Sequence, residues 1–579
     1  MHSNSRRDST PLPDNLDLTL TTWLARMSHG VSPSALTAAF SDWQSHLAAS
    51  PGKQLELAES ALHKYLQWLI YLRSSHGQCP PSEQPALEDK RFKAAQWQMP
   101  PYNWASQGFL LGQRWWSEAM TGVRGVSQHH EEVAEFVTRQ WLDMCSPSNF
   151  LLTNPQVLHE TMATGGKNLA TGFANWWRDA MAVQAEGPPP GAEQFEAGKV
   201  VAITPGKVVF RNRLIELIRY DPSTPTVYPE PLLIVPSWIM KYYILDLSPA
   251  NSMVKYLVDQ GHTVFMISWK NPGSEDRDLG MEDYLELGVL AALDAVQQHC
   301  PRVGVHAVGY CLGGTLLAVA AAALARHTPS PLKTVSLLAA LIDFEEPGEL
   351  GLFIDESQIA FLEDLMAQRG YLDGRQMAGA FALINSKDLV WSKLVHEYMM
   401  GAHTPLTDLR AWNADATRMP SRMHSEYLRW LYLENDLAEG RYRALGETVA
   451  LHNIRQPVFC VSTERDHVSP WPSVYKIHLL TDTELTFVLS SGGHNVGIVN
   501  PPDGTAAHAS AVHRVAVRKR GTNFQDAATW YAQAQPQPGS WWPTWQRWLS
   551  GHSGKRRAPH FNPKLPTLGN APGEYVHGT

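Results

Sequence analysis

The chain has 579 residues, 44% of them hydrophobic and 18% charged, which is enough apolar surface to order a large core and excludes a wholly disordered protein. Its 48 basic and 56 acidic side chains leave a net charge of −8, the wrong sign for a dedicated nucleic-acid binder. Five cysteines, Cys79, Cys145, Cys300, Cys311 and Cys460, are too few for a disulfide framework and match no zinc-ligand spacing, so a reducing compartment and no metal are expected.

Residues 1–15 are polar and read as a disordered arm, without the apolar stretch of a secretory signal. From 16 to 190 the pattern is helical and rich in tryptophan, the mark first of a core and second of an apolar docking surface. Within Ser50–Leu72, Leu55, Leu62, Leu66 and Leu69 share one helical face, which is expected to be buried. Three successive prolines, Pro188 to Pro190, end this texture, and the domain boundary is placed at Glu186–Gly198. A hairpin is expected over Val200–Phe210 around Pro205-Gly206, then a strand at Leu214–Tyr220. Four buried-strand runs follow: Pro231–Val235, Thr263–Trp269, Val303–Tyr310 and Thr334–Leu341. Helices separate several of them, notably Met281–Cys300, with Leu285, Val289, Leu293 and Val296 on one face. This alternation predicts parallel βαβ units, hence an α/β domain over 199–579. Two further strands, Gln456–Asp466 and Leu485–Ser490, come only after a mainly helical stretch at 343–454, which reads as an inserted cap. The longest apolar run, Thr315–Ala325, falls short of the ~20 residues that span a bilayer, so a cytoplasmic protein is expected.

Chemistry concentrates at Gly309-Tyr310-Cys311-Leu312-Gly313, where a buried strand runs directly into a helix. This is the G-x-S-x-G nucleophile elbow with cysteine in place of serine, and the glycines clear the sharp reversal. The helix N-terminus beside Cys311 favours its thiolate. The plainer reading is a structural cysteine in a glycine-rich turn, and the flanking strand and helix argue against it. Asp466 ends one later strand and His494 follows the next, in the order nucleophile, acid, histidine. Three such residues at strand C-terminal ends converge on one crevice. His129, His130, His262, His306 and His467 lack such a position and read as ordinary surface or core histidines. No phosphate-binding glycine fingerprint occurs.

Longer motifs carry a resemblance: Pro236–Pro272, Gly309–Thr315, WNADATRMP at Trp412–Pro420, TERDHVSPW at Thr463–Trp471, SGGHNVGIVNPP at Ser491–Pro502 and the ending APGEYVHGT. The chain resembles class I polyhydroxyalkanoate synthases, which join 3-hydroxyacyl units from coenzyme A thioesters into storage polyester. The resemblance implies an α/β-hydrolase fold with an inserted cap behind a helical N-terminal domain. It implies Cys311 as acyl carrier, His494 as general base and Asp466 as third catalytic residue, either orienting His494 or helping activate the incoming hydroxyl. The high intrinsic pKa of a hydroxyl weighs toward the second role. The oxyanion hole is expected from the backbone N–H of Leu312 and one from Trp238 or Ile239. The implied partners are (R)-3-hydroxyacyl-CoA, the growing polyester and its granule surface, and a second copy in a homodimer, with no cofactor. Two rivals share parts of this pattern: a cysteine thioesterase or esterase, and a non-catalytic granule-surface protein. A cap that excludes water separates the polymerase from the first, and the triad argues against the second. The basic clusters Arg514, Arg518, Lys519, Arg520 and Lys555, Arg556, Arg557 read as solvated surface before phosphate contacts.

Overall fold

The computed structural model describes residues 31–74, 87–185, 187–326, 329–374, 376, 377, 379, 386–502 and 510–578, so the arm expected at 1–15 and Cys79 lie outside the described residues. Contacts divide these residues into two units, one of 31–190 with 379–405, the other of 191–378 with 406–579.

The first unit is helical: α1 (Pro33–Ala48), α2 (Pro51–Ser74), α3 (Tyr102–Met120), α4 (Gln128–Met144), α5 (Pro155–Ala163) and α6 (Lys167–Gln184). Polar N-caps start several of them; Asn154 accepts from the N–H groups of Gln156 and Val157, ahead of Pro155. The leucine face of α2 departs from expectation, with Leu55, Leu62 and Leu66 at 67%, 59% and 49% exposure. Two residues on, about 200° around the helix, Leu57, Lys64 and Trp68 face α3 instead. Trp115 donates to the Leu57 carbonyl at 2.9 Å, Lys64 pairs with Glu118 at 2.7 Å, and Trp68 donates to the Trp104 carbonyl at 3.0 Å. On α6, Gly172 lets the main chain of Tyr398 approach closer than any Cβ would allow, while Asn168 and Asn175 donate to the carbonyls of Met399 and Glu397. This seating draws 379–405 out of the stretch expected to form one cap. Phe173, Trp176 and Trp177 remain exposed on α6.

The second unit is built on β1 (Gly206–Arg211), β2 (Ile215–Tyr220), β3 (Leu232–Val235), β4 (Val264–Trp269), β5 (Val305–Tyr310), β6 (Leu332–Leu338), β7 (Val458–Thr463), β8 (Leu485–Ser490), β9 (Val512–Arg518), β10 (Pro536–Pro538) and β11 (Gly569–Asn570). Among the described residues they form one sheet in the order β10-β9-β8-β7-β6-β5-β3-β4-β2-β1-β11. The six strands from β8 to β4 run parallel and the flanking ones antiparallel. Strands β3 to β8 are buried almost throughout, as parallel strands covered on both faces require. The helix α7 (Met253–Asp259) links β3 to β4, the helical stretch 281–299 links β4 to β5 with Leu285, Val289, Leu293 and Val296 buried, and α8 (Leu312–Leu324) follows β5.

The expected hairpin at Val200–Phe210 is instead β1 with β2, because Pro205 offers no N–H and the Asn212 side chain closes the turn, accepting from Leu214 and Ile215 at 2.9 Å. The basic cluster at 514–520 contains a strand that composition had hidden. In β9, Arg514 donates to the Ala534 carbonyl and Arg518 to those of His478, Thr481 and Thr483.

Since β4 and β5 both neighbour β3 on opposite sides, the chain reverses its winding direction between β3 and β5. A crevice opens at the carboxyl ends of strands at such a point.

Candidate active site

Cys311 sits where β5 meets α8, with φ at +53°, a left-handed conformation that a cysteine adopts only when its surroundings impose it. Its N–H donates to the Leu338 carbonyl at 2.9 Å, while its own carbonyl accepts from Gly314 and Thr315. A side chain on Gly309 would collide with Gly314, and one on Gly313 with the carbonyl oxygens of Val235 and Pro236. The start of α8 therefore lies directly against the end of β3, bringing the loop Pro236–Lys241 beside the elbow.

The N–H of Leu312 has no partner among the described residues. Across from it, Ile239 donates weakly to the Ser237 hydroxyl at 3.4 Å, whereas the Trp238 N–H is unpartnered among the described residues. Thr417 pins this loop from behind, its N–H on the Ile239 carbonyl at 3.0 Å and its hydroxyl on that of Trp238.

Asp466 lies three residues beyond the end of β7 and His494 four beyond the end of β8. The imidazole donates from Nδ1 to Asp466 Oδ2 at 2.8 Å, which leaves Nε2 for the thiol side. Thr463 donates to the same carboxylate oxygen at 3.1 Å, and the N–H groups of Val468 and Ser469 donate to Oδ1 at 2.9 and 2.8 Å. Both oxygens of Asp466 are thus committed to protein donors. That occupancy runs against the expectation that Asp466 serves an incoming hydroxyl. Burial alone would raise its pKa, but the His494 charge and hydrogen bond and the two amides hold it below the usual carboxylate range. Burial would likewise lower His494, yet the Asp466 carboxylate and the Cys311 sulfur, through charge and hydrogen bonding, hold its pKa well above an ordinary imidazole. The structure therefore brings Cys311, His494 and Asp466 together.

The other described cysteines are elsewhere. Cys145 is exposed, while Cys300 and Cys460 are buried, with the Cys300 thiol pushed up to about 11 by burial and the Cys460 thiol also raised by burial. His306 is a satisfied core histidine, bonded to Thr334 and Ser553. Among the described residues, no group of His, Cys, Asp or Glu side chains is placed to hold a metal ion.

Sequence reasoning missed what holds the histidine loop in place. From α9 (Trp542–Gly551) and the residue before it, the indoles of Trp542 and Trp541 donate to the carbonyls of Ile498 and Gly497 at 2.9 Å. Nothing local to either motif shows that pairing. In the inserted stretch, Tyr427 donates to the Tyr432 hydroxyl at 3.3 Å, and the Phe344 ring packs 4.9 Å from that of Tyr432. Both phenols are raised chiefly by burial, with the Cys311 charge as a lesser cause.

Residues 88–257 match the family model described as the poly-beta-hydroxybutyrate polymerase (PhaC) N-terminus, residues 12–53 that described as poly-beta-hydroxybutyrate polymerase N terminal, and residues 230–501 the alpha/beta hydrolase fold. A poly(3-hydroxyalkanoate) polymerase of Methylorubrum extorquens is 42% identical over 86% of this chain and 82% of its own length. The poly(3-hydroxyalkanoate) polymerase subunit PhaC of Rhizobium etli is 36% identical over 87% and 79%, and that of Rhizobium meliloti 35% over 96% and 92%.

Proposed function

Because this chain belongs to the poly(3-hydroxyalkanoate) polymerases, and so is an acyltransferase, we propose that it carries (R)-3-hydroxyacyl units from coenzyme A onto Cys311 and from there into a growing polyester. His494 holds the proton that Cys311 gives up, and the thiolate attacks the thioester carbonyl. The N–H of Leu312 and that of Trp238 hold the oxyanion, a choice over Ile239 supported by the Ser237 hydroxyl already engaging the latter. The carbon–sulfur bond to coenzyme A then breaks, and His494 returns its proton to the departing thiolate. In the second half, His494 removes the proton of a 3-hydroxyl as its oxygen attacks the Cys311 thioester, and the ester forms as Cys311 leaves. One thioester replaces another in the first half, so the acyl group keeps enough reactivity to drive ester formation in the second. Asp466 orients and charges the imidazole in both halves.

The observation that carries this reading is the elbow cysteine facing a histidine whose other nitrogen is bonded to a buried carboxylate. The packing of Phe344 on Tyr432, and the burial of Tyr427 and Tyr432 within reach of the Cys311 charge, support exclusion of water from the acyl-enzyme. Exposed Phe173, Trp176 and Trp177 support contact with an apolar polymer. The reading includes class I organisation, no cofactor, and work as a homodimer at the surface of cytoplasmic polymer granules. Incubation with (R)-3-hydroxybutyryl-CoA, with thiol release and acyl product followed together, is expected to give polymer from the parent and neither product from Cys311→Ala. Release of free 3-hydroxybutyrate in step with coenzyme A would identify a thioesterase instead.

A further inference from the structure

Tyr310 is 2% exposed, and its hydroxyl donates to Asn495 Oδ1 at 2.6 Å. It is the residue before the nucleophile, and Asn495 is the residue after the base. The Tyr310 ring lies 5.8 Å from that of His494. Asn495 in turn anchors the histidine loop, its carbonyl accepting from the N–H groups of Ile498 and Val499 at 3.2 and 2.8 Å. Packing at this position needs only the ring of Tyr310. The hydroxyl is a buried polar group that would be costly without its acceptor, and what it reaches is the loop that carries the imidazole. Burial foremost, and the Cys311 and Asp466 charges after it, keep the phenol protonated and hence a donor.

We propose that the Tyr310–Asn495 bond is a positioning device for the relay, tying the nucleophile elbow to the histidine loop so that His494 stays over Cys311. The inference rests on the reading that these two residues act together. Tyr310→Phe removes only the hydroxyl, and Asn495→Leu replaces the side-chain amide, acceptor included, with an apolar group of the same branching. Each should slow iodoacetamide labelling of Cys311 at pH 7 about tenfold, the value of one such bond, and coenzyme A release by the same factor with little change in KM. The labelling gap should close at pH 10, where a thiol ionises unaided. The double variant should be no slower than either single one. A bond that merely braces the fold would lower the unfolding temperature and leave neutral-pH labelling at the parental rate. That result, or losses that multiply in the double variant, overturns the proposal. If the parent labels fast at pH 7 but releases no coenzyme A, the polymerase reading fails, and the labelling series still decides the role of the pair.

Discussion

At the scale of single residues, the division of labour around His494 is set by where hydrogen bonds are already used. Both oxygens of Asp466 are held by Thr463, Val468, Ser469 and His494. To accept from a substrate hydroxyl, the carboxylate would have to give up one of them. Asp466→Asn should therefore lower first-turnover coenzyme A release and later chain elongation together, by about 10²- to 10⁴-fold, as a misplaced proton on the imidazole harms both halves. Rapid quench, counting thiol released in the first turnover against polymer formed afterwards, separates this from a stall with acyl left on Cys311. That Cys311, Asp466 and His494 would meet was legible in the sequence because an elbow and two strand ends have local signatures. The bond between Tyr310 and Asn495 spans 185 residues and has none.

At the scale of elements, the elbow is a contact between main chains as much as a turn. With the carbonyls of Val235 and Pro236 where a Gly313 side chain would go, Gly313→Ala must push α8 away from β3. The expected cost is about 1–3 kcal/mol of stability, read by urea unfolding, with a loss of turnover larger than that fraction unfolded explains. Gly112→Ala on α3, which meets nothing within 4 Å, is the contrast and should raise the midpoint slightly. The parallel strands were readable as short apolar runs and α2 as a helix, but the buried face of α2 and the strand β9 were not. Periodicity says which leucines share a face of α2, while the partner helix decides which face turns inward. In β9, arginine and histidine interrupt the apolar alternation because their side chains serve neighbouring carbonyls and not a core.

For the whole molecule, buried histidines couple folding to pH. Burial pushes His262 and His424 down to about 4 and His306 and His478 to about 3, against about 6.5 when unfolded. Between those values only the unfolded chain takes up the proton. Each histidine therefore contributes stability above about 6.5 that is lost as pH falls toward its folded value, at up to about 1.4 kcal/mol per pH unit. His494 has the opposite sign, its contribution complete below about 6.5 and lost as pH rises through its raised value. The unfolding temperature should fall steadily from pH 7 to 5, and a flat profile there would contradict this account. The return of 379–405 to the helical unit was hidden because chain order does not show where a segment comes back. The sheet itself stops at β10, two of whose three residues are prolines with no N–H to offer, and at β11, only two residues long. Each border offers a further strand only a short or broken ladder, which works against copies crowded side by side stitching their sheets into a fibril through these edges.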